Sequence, residues 1–249
     1  MPKRLTSLSP RQALSDLLHL IQETRSVDLK LSTRLEEIYI WVEKYKPGKL
    51  TSAKYVMILL TQLIVDTENW LNLEEARTYA LQNNDQVFYQ EVLDGYNPAE
   101  QYWLRVCFPA WFSEQDPKFQ KWKIALISKR FTADDADVLD SLSRIIELMG
   151  GYVFLSLLGD LSLSTDLIVA SPSRNALCIQ QTRQGGNWLQ EKRTAWQSDL
   201  KYWKIDRGLL LSFVPPTGPT VQQSWRIIAN KVFYWCDNIG PGKYIVYTV

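Results

Sequence analysis

The residues of this chain best suited to chemistry lie between Asp160 and Thr182. Asp166 stands near the start of an aliphatic run, Thr165 to Ala170. A second run, Ala176 to Thr182, follows a Ser-Pro-Ser-Arg-Asn turn. Both runs are β-branched or aliphatic and bounded by turn formers, so they predict two strands. Side chains alternate along a strand. Leu177, Ile179 and Gln181 then share one face, and Cys178, Gln180 and Thr182 the other. Gln180 and Thr182 sit side by side, next to Asp166 on the neighbouring strand. Magnesium prefers carboxylate oxygens, and Gln180 and Thr182 supply no charge. Asp166, even with Asp160 or Glu147 nearby, gives less negative charge than phosphodiester hydrolysis wants. The plain alternative is that Asp166 caps a turn.

The elements around these residues run helix, strand, strand beginning with Asp, turn, strand ending in polar-x-polar, helix, strand. Over roughly residues 133–235 this order resembles the PD-(D/E)xK nuclease-like family. In that family the Asp and an acid hold a divalent metal, and a lysine positions the attacking water. Asp166 matches the Asp. Gln180 stands where the acid should be, and Thr182 where the lysine should be. The resemblance implies a restriction-endonuclease-like fold with a degenerate catalytic centre, no metal and no cofactor, and DNA or RNA as partner. Some members carry a Gln and, one helical turn later, a Tyr in the next helix. Gln197 and Tyr202 are similar but five apart, and Trp196, Leu200 and Trp203 read as core. Gly150-Gly151 and Ser164 to Val169 also resemble the BRCT pattern, which requires a helix directly after Val169.

The segment after Gly185-Gly186 interleaves cations with rings: Lys192, Arg193, Lys201, Lys204 and Arg207 with Trp188, Trp196 and Tyr202. Charge for phosphates and flat faces for stacking are what single-stranded nucleic acid needs. Lys192, Arg193, Lys201 and Lys204 are the expected contacts. The bland reading is a solvated cationic face over a buried aromatic one. Net charge is +1, but it is unevenly spread. Residues 1–117 carry 12 Lys/Arg against 16 Asp/Glu, and residues 118–249 carry 16 against 11. A positive part around the nuclease-like segment favours a polyanion.

Composition excludes other chemistries. There is one histidine, His19, inside an amphipathic helix, which removes His-based zinc sites and Ser-His-Asp or Cys-His nucleophiles. Cys107, Cys178 and Cys236 are far apart in apolar surroundings and read as buried free thiols in a reducing cytoplasm. No apolar run approaches a membrane span, and no leader is evident, so a membrane partner is not expected.

The first part of the chain reads as helices. Ser9-Pro10-Arg11-Gln12 opens one as a capping box. Others are expected over Ser32–Tyr45 (ended by Lys46-Pro47-Gly48), after Thr51-Ser52, from Asn72, over Gln86–Leu93 and over Pro98–Val106. Phe108 to Phe112 reads as a seam and Gln115-Asp116-Pro117 as a linker. Beyond it, Trp122–Ser128 reads as a strand, 133–149 as a helix capped by Thr132 to Asp135, and Tyr152–Leu157 as a strand. After residue 182 come a helix over 189–203, a strand over 208–214, a helix over 221–235 and a strand over 244–249. The expectation is an α+β protein: a helical domain, 1–117, and an α/β domain, 118–249, with a mixed central sheet. Its expected role is binding or processing nucleic acid with an inactive nuclease core. The alternatives are a catalytically silent interaction module, whose partner protein meets its aromatic-rich surface, and an active metal-dependent nuclease.

Overall fold

The computed structural model describes residues 8–44, 50, 53–128, 135–183 and 185–249. The chain is α+β, and it divides into two compact units. The first comprises 1–95 and 111–132, the second 96–110 and 133–249. The division is interleaved. It does not fall at Gln115-Asp116-Pro117, because residues 111–132 belong with the first helices.

The first unit is helical: α1 (Pro10–Thr24), α2 (Leu29–Glu43), α3 (Lys54–Asn83) and α4 (Gln86–Asp94). Ser9 caps α1 by accepting from the Gln12 amide at 3.2 Å. The capping box stays half made, since the Gln12 side chain donates to Asp16 instead. Helix α2 starts earlier than Ser32 because Asp28 accepts from the Lys30 and Leu31 amides. Ser32 itself is buried and donates to the Ile21 carbonyl.

Helix α3 runs unbroken through Asn72, which is not a helix start. Leu73, Ala76 and Ala80 continue the buried stripe of Leu63, Ile64 and Trp70, so packing overrides the local capping preference. It ends at Asn84, in the left-handed region at φ 53°. The expected stop at 46–48 and start at 51–52 lie outside the described residues. So does most of the expected cap at 132–135; Asp135 makes no side-chain cap bond.

The chain continues through α5 (Pro98–Tyr102), a π-helical turn (Trp103–Cys107) and α6 (Phe108–Ser113), so the expected aromatic seam is a helix. The expected strand over 122–128 is also a helix, α7 (Phe119–Ile127). A short apolar run has no decisive period. Here Trp122 and Leu126, four apart, are buried while Ile124 is exposed. Asp116 is no solvated linker: it is buried and accepts from the Trp122 indole at 2.9 Å.

In the second unit, α8 (Ala136–Leu148) leads to β1 (Tyr152–Phe154). Then come α9 (Leu157–Leu163), β2 (Leu167–Ala170), β3 (Ala176–Thr182), α10 (Gly186–Tyr202), β4 (Arg207–Ser212), α11 (Val221–Asn238) and β5 (Lys243–Thr248). The strand expected over 152–157 stops at Phe154, because Ser156 caps α9 by accepting from the Gly159 amide. The strands lie in the order 1-2-3-4-5. β1, β2 and β3 form an antiparallel meander, and β4 and β5 add in parallel. The β2–β3 hairpin leaves no room for the helix that the BRCT pattern requires after Val169.

Both faces of this sheet are covered. On one, Leu167, Val169, Leu177, Ile179, Leu209 and Leu211 form a core with α8 and α11. The helix expected over 133–149 is α8, Ala136–Leu148 among the described residues, and it packs on this face. On the other face α10 brings Trp196 and Leu200 onto Gly208. A Cβ at Gly208 would stand 2.4 Å from Leu200 Cδ1 and 2.7 Å from Trp196 Cζ2. Glycine is therefore what lets α10 approach the sheet. Gly208→Ala is expected to destabilise the protein by about 1–3 kcal/mol through overpacking. Urea unfolding followed by tryptophan fluorescence checks it, and an unchanged midpoint would contradict this packing.

Candidate functional site at the carboxyl end of strand β3

The β2–β3 register sets Leu167 opposite Ile179, so the preceding residue, Asp166, falls opposite Gln180. The Asp166 amide extends the ladder by donating to the Ile179 carbonyl at 2.9 Å. Its carboxylate is doubly held. Gln180 Nε2 donates to Oδ1 at 2.6 Å, and the Gln181 backbone N–H donates to Oδ2 at 2.6 Å. Of the expected trio, Asp166 and Gln180 meet directly. Thr182 lies on the same face of β3, two residues on, and is buried. Its carbonyl accepts from the Phe213 amide at 3.0 Å, which continues the β3–β4 pairing.

Burial pushes the Asp166 carboxyl up to about 7, and the neighbouring Asp160 carboxylate adds to the rise. The Gln181 N–H and the Lys192 ammonium oppose it. Part of the residue stays in contact with solvent. The group thus holds or releases a proton near neutrality, at oxygens fixed by two amide donors.

The donor set does not fit the divalent metal of the family resemblance. Both Asp166 oxygens are engaged by N–H groups, and Gln180 is neutral and turns its amide nitrogen toward the site. Among the described residues no group of three or more His, Cys, Asp or Glu side chains is placed to hold a metal.

The four expected cations do not form one face. Trp196 and Leu200 anchor α10 on the sheet, and Lys192 lies one turn before Trp196 on the same row. Its ammonium is accordingly turned inward, 3.5 Å from the Gln181 carbonyl. Arg193 and Lys201 lie on the neighbouring row and are exposed. Lys204 lies beyond the helix end, in the left-handed region at φ 56°. Trp188, in the first turn of α10, is 69% exposed. Trp203 is core, and its indole donates to the Ser162 carbonyl at 2.9 Å.

Three further residues belong to this end of the sheet. Asp160 sits in the first turn of α9. Arg183 pairs with Asp135 at 2.8 Å. Gln181 is 1% exposed, and neither side-chain amide atom has a hydrogen-bond partner among the described residues. Asp160 is an acid the sequence already sets near Asp166; the cap signal of Ser156 would have found α9, the helix that carries it. Nothing local in the sequence singles out Gln181, whose burial comes from the opposite sheet face.

No family model, no curated protein and no solved structure matches this chain.

The Asp166 geometry sets a pH dependence. The folded-state value lies above the ordinary 3.8, so the folded protein binds the proton more tightly than the unfolded chain does. Wild type therefore loses stability as pH rises from about 4 to about 7. Asp166→Asn carries no such penalty. It is expected to gain on the order of 1 kcal/mol over wild type at about pH 8, a figure reduced for partial exposure, and less at about pH 5. Urea midpoints of the two proteins at both pH values check this. A difference independent of pH would contradict it.

Proposed function

We propose that this protein binds nucleic acid through a restriction-endonuclease-like core whose catalytic centre is degenerate. The observation that carries this reading is the arrangement of the second unit. Helix α8 precedes the antiparallel meander β1–β2–β3, and α10, on the opposite face of the sheet, leads to a parallel β4. Gln180 donates to Asp166 at 2.6 Å, and the resemblance aligns this pair with the family's two carboxylates. With a neutral amide in the acid's place and Thr182 in the lysine's, the centre lacks the charge to hold a metal and the amine to orient a water.

Binding then falls to the exposed side of α10. Arg193 and Lys201 offer phosphate contacts two turns apart, and Trp188 offers a ring for stacking at the helix start. Lys192, turned to the sheet, supports Asp166 rather than the ligand.

A second reading, an interaction module for another protein, rests on the first unit. Tyr79, Leu81, Val87 and Phe88 are exposed together where α3 meets α4, and the Tyr79 and Phe88 rings stack edge-on at 4.9 Å. Aromatic residues of this kind concentrate in protein interfaces.

Two measurements separate these readings. Anisotropy of a labelled single-stranded oligonucleotide is expected to show binding that weakens steeply with salt. It should weaken further in the Arg193→Glu, Lys201→Glu double variant, whose surface changes leave stability within about 0.5 kcal/mol. No binding at low salt, or binding untouched by the double reversal, would overturn the nucleic-acid reading in favour of the interaction module. Incubation of plasmid, single-stranded DNA and RNA with magnesium or manganese is expected to give no cleavage. Cleavage abolished by Asp166→Ala would instead revive an active nuclease.

A further inference from the structure

We infer that the outer edge of β5 pairs with the same edge of a second copy of this chain. The sheet ends in two edges of unequal character. β1 is three residues long, and a short edge strand offers little to pair with. β5 is six residues long, and no further strand among the described residues lies beyond it. It contains no proline, no glycine and no bulge, and its single charge, Lys243, stands at its start. Apart from Lys243 at its start, no proline, bulge or charge blunts this edge.

The backbone itself fixes which groups are unpaired and in what register a second copy fits. The Val249 amide donates to the Ser212 carbonyl at 3.0 Å, so Val249 faces β4. Backbone direction alternates along a strand, so Lys243, Ile245 and Tyr247 face β4 as well. Tyr244, Val246 and Thr248 turn their N–H and C=O groups outward.

Two copies related by a two-fold axis perpendicular to the sheet meet antiparallel, and in such a ladder the hydrogen-bonded pairs are formed by outward-facing residues. Centring the axis on Val246 sets it against Val246 of the second copy and Tyr244 against Thr248. Every outward group then finds a partner. Centring it on Ile245 sets Tyr244 against Val246 but leaves Thr248 facing Gly242, a residue outside the strand with φ 75°.

The side chains agree with the Val246-centred register. On one face Val246 meets Val246 and Tyr244 meets Thr248. On the other, Ile245 meets Tyr247, and the Trp235 ring lies 6.4 Å from that of Tyr247 in the same copy. No like charges stand opposite each other, since Lys243 meets Val249. A second copy therefore pairs every outward group of β5 without opposing like charges, which makes it the inferred occupant.

The experiment is sedimentation velocity of the full chain over a concentration series, with amide hydrogen exchange on the same samples. Wild type is expected to show a monomer–dimer equilibrium in which the Tyr244, Val246 and Thr248 amides exchange more slowly at high concentration. Val246→Lys sets two ammonium groups against each other at the axis, and Val246→Pro removes an outward donor at an edge position that tolerates proline. Both are expected to lose the dimer while keeping the wild-type circular dichroism spectrum. A wild type that stays monomeric throughout would overturn the inference. So would a dimer that leaves those three amides unprotected. The exchange readout on wild type decides the matter even if a variant fails to fold.

Discussion

The antiparallel register that sets Leu167 against Ile179 governs the second unit. Because side chains alternate, a slip of one residue would exchange the two faces of β3. Leu177 and Ile179 would leave the core they share with α8 and α11, and Gln180 would enter it. Burying an unpaired polar group there is costly, so the apolar residues and the polar pair enforce the same register. Asp166 meets Gln180 as a consequence of that constraint. Its two short hydrogen bonds then hold the carboxylate where burial alone would expel it.

The opposite face obeys a second constraint, close approach. Gly208 has no side chain, and Trp196 and Leu200 of α10 occupy the space one would take. Anchoring α10 by this row decides where its cations go. Lys192 is carried in toward the carboxyl end of β3, where its charge partly compensates Asp166. Arg193 and Lys201, one row over, are carried out to solvent. One packing contact thus divides a basic helix into a supporting cation and an exposed pair.

Where the sequence was legible, strong periodicity or strong punctuation made it so. The α8 stripe, the Gly-Gly stop after it, the hairpin around Ser171 to Asn175 and the apolar β4 all form as their residues predict. So does the meeting of Asp166 with Gln180, which needed only the alternation of a strand. The misreadings share a cause. Trp122–Ser128 is apolar without a decisive period, and its helix is set by Trp122 reaching Asp116 and packing edge-on against Trp41. Asn72 has the chemistry of a cap, but a continuous buried stripe on either side of it outweighs that preference. Charge alone groups Lys192 with Arg193 and Lys201, whereas its position relative to Trp196 decides its direction. In each case packing overrode a preference read from residue type alone.

The polar cluster at the end of β3 is costly in its own right, which bears on its meaning. A hydrogen-bonded Asn in place of Asp166 would satisfy the same register without placing an acid in a partly desolvated spot beside Asp160. The acid is retained with its compensation arranged around it: one backbone N–H, one side-chain amide and one inward-turned lysine. Gln181, buried on the other face of the same strand end with both amide atoms unpaired among the described residues, adds a second local cost. Such costs tend to collect where a fold carries a site. On the reading proposed above, the cluster is what a nuclease-like centre becomes when its second acid is a glutamine. The Asp166 carboxylate accepts an amide hydrogen from Gln180, and the Lys192 ammonium partly offsets its charge.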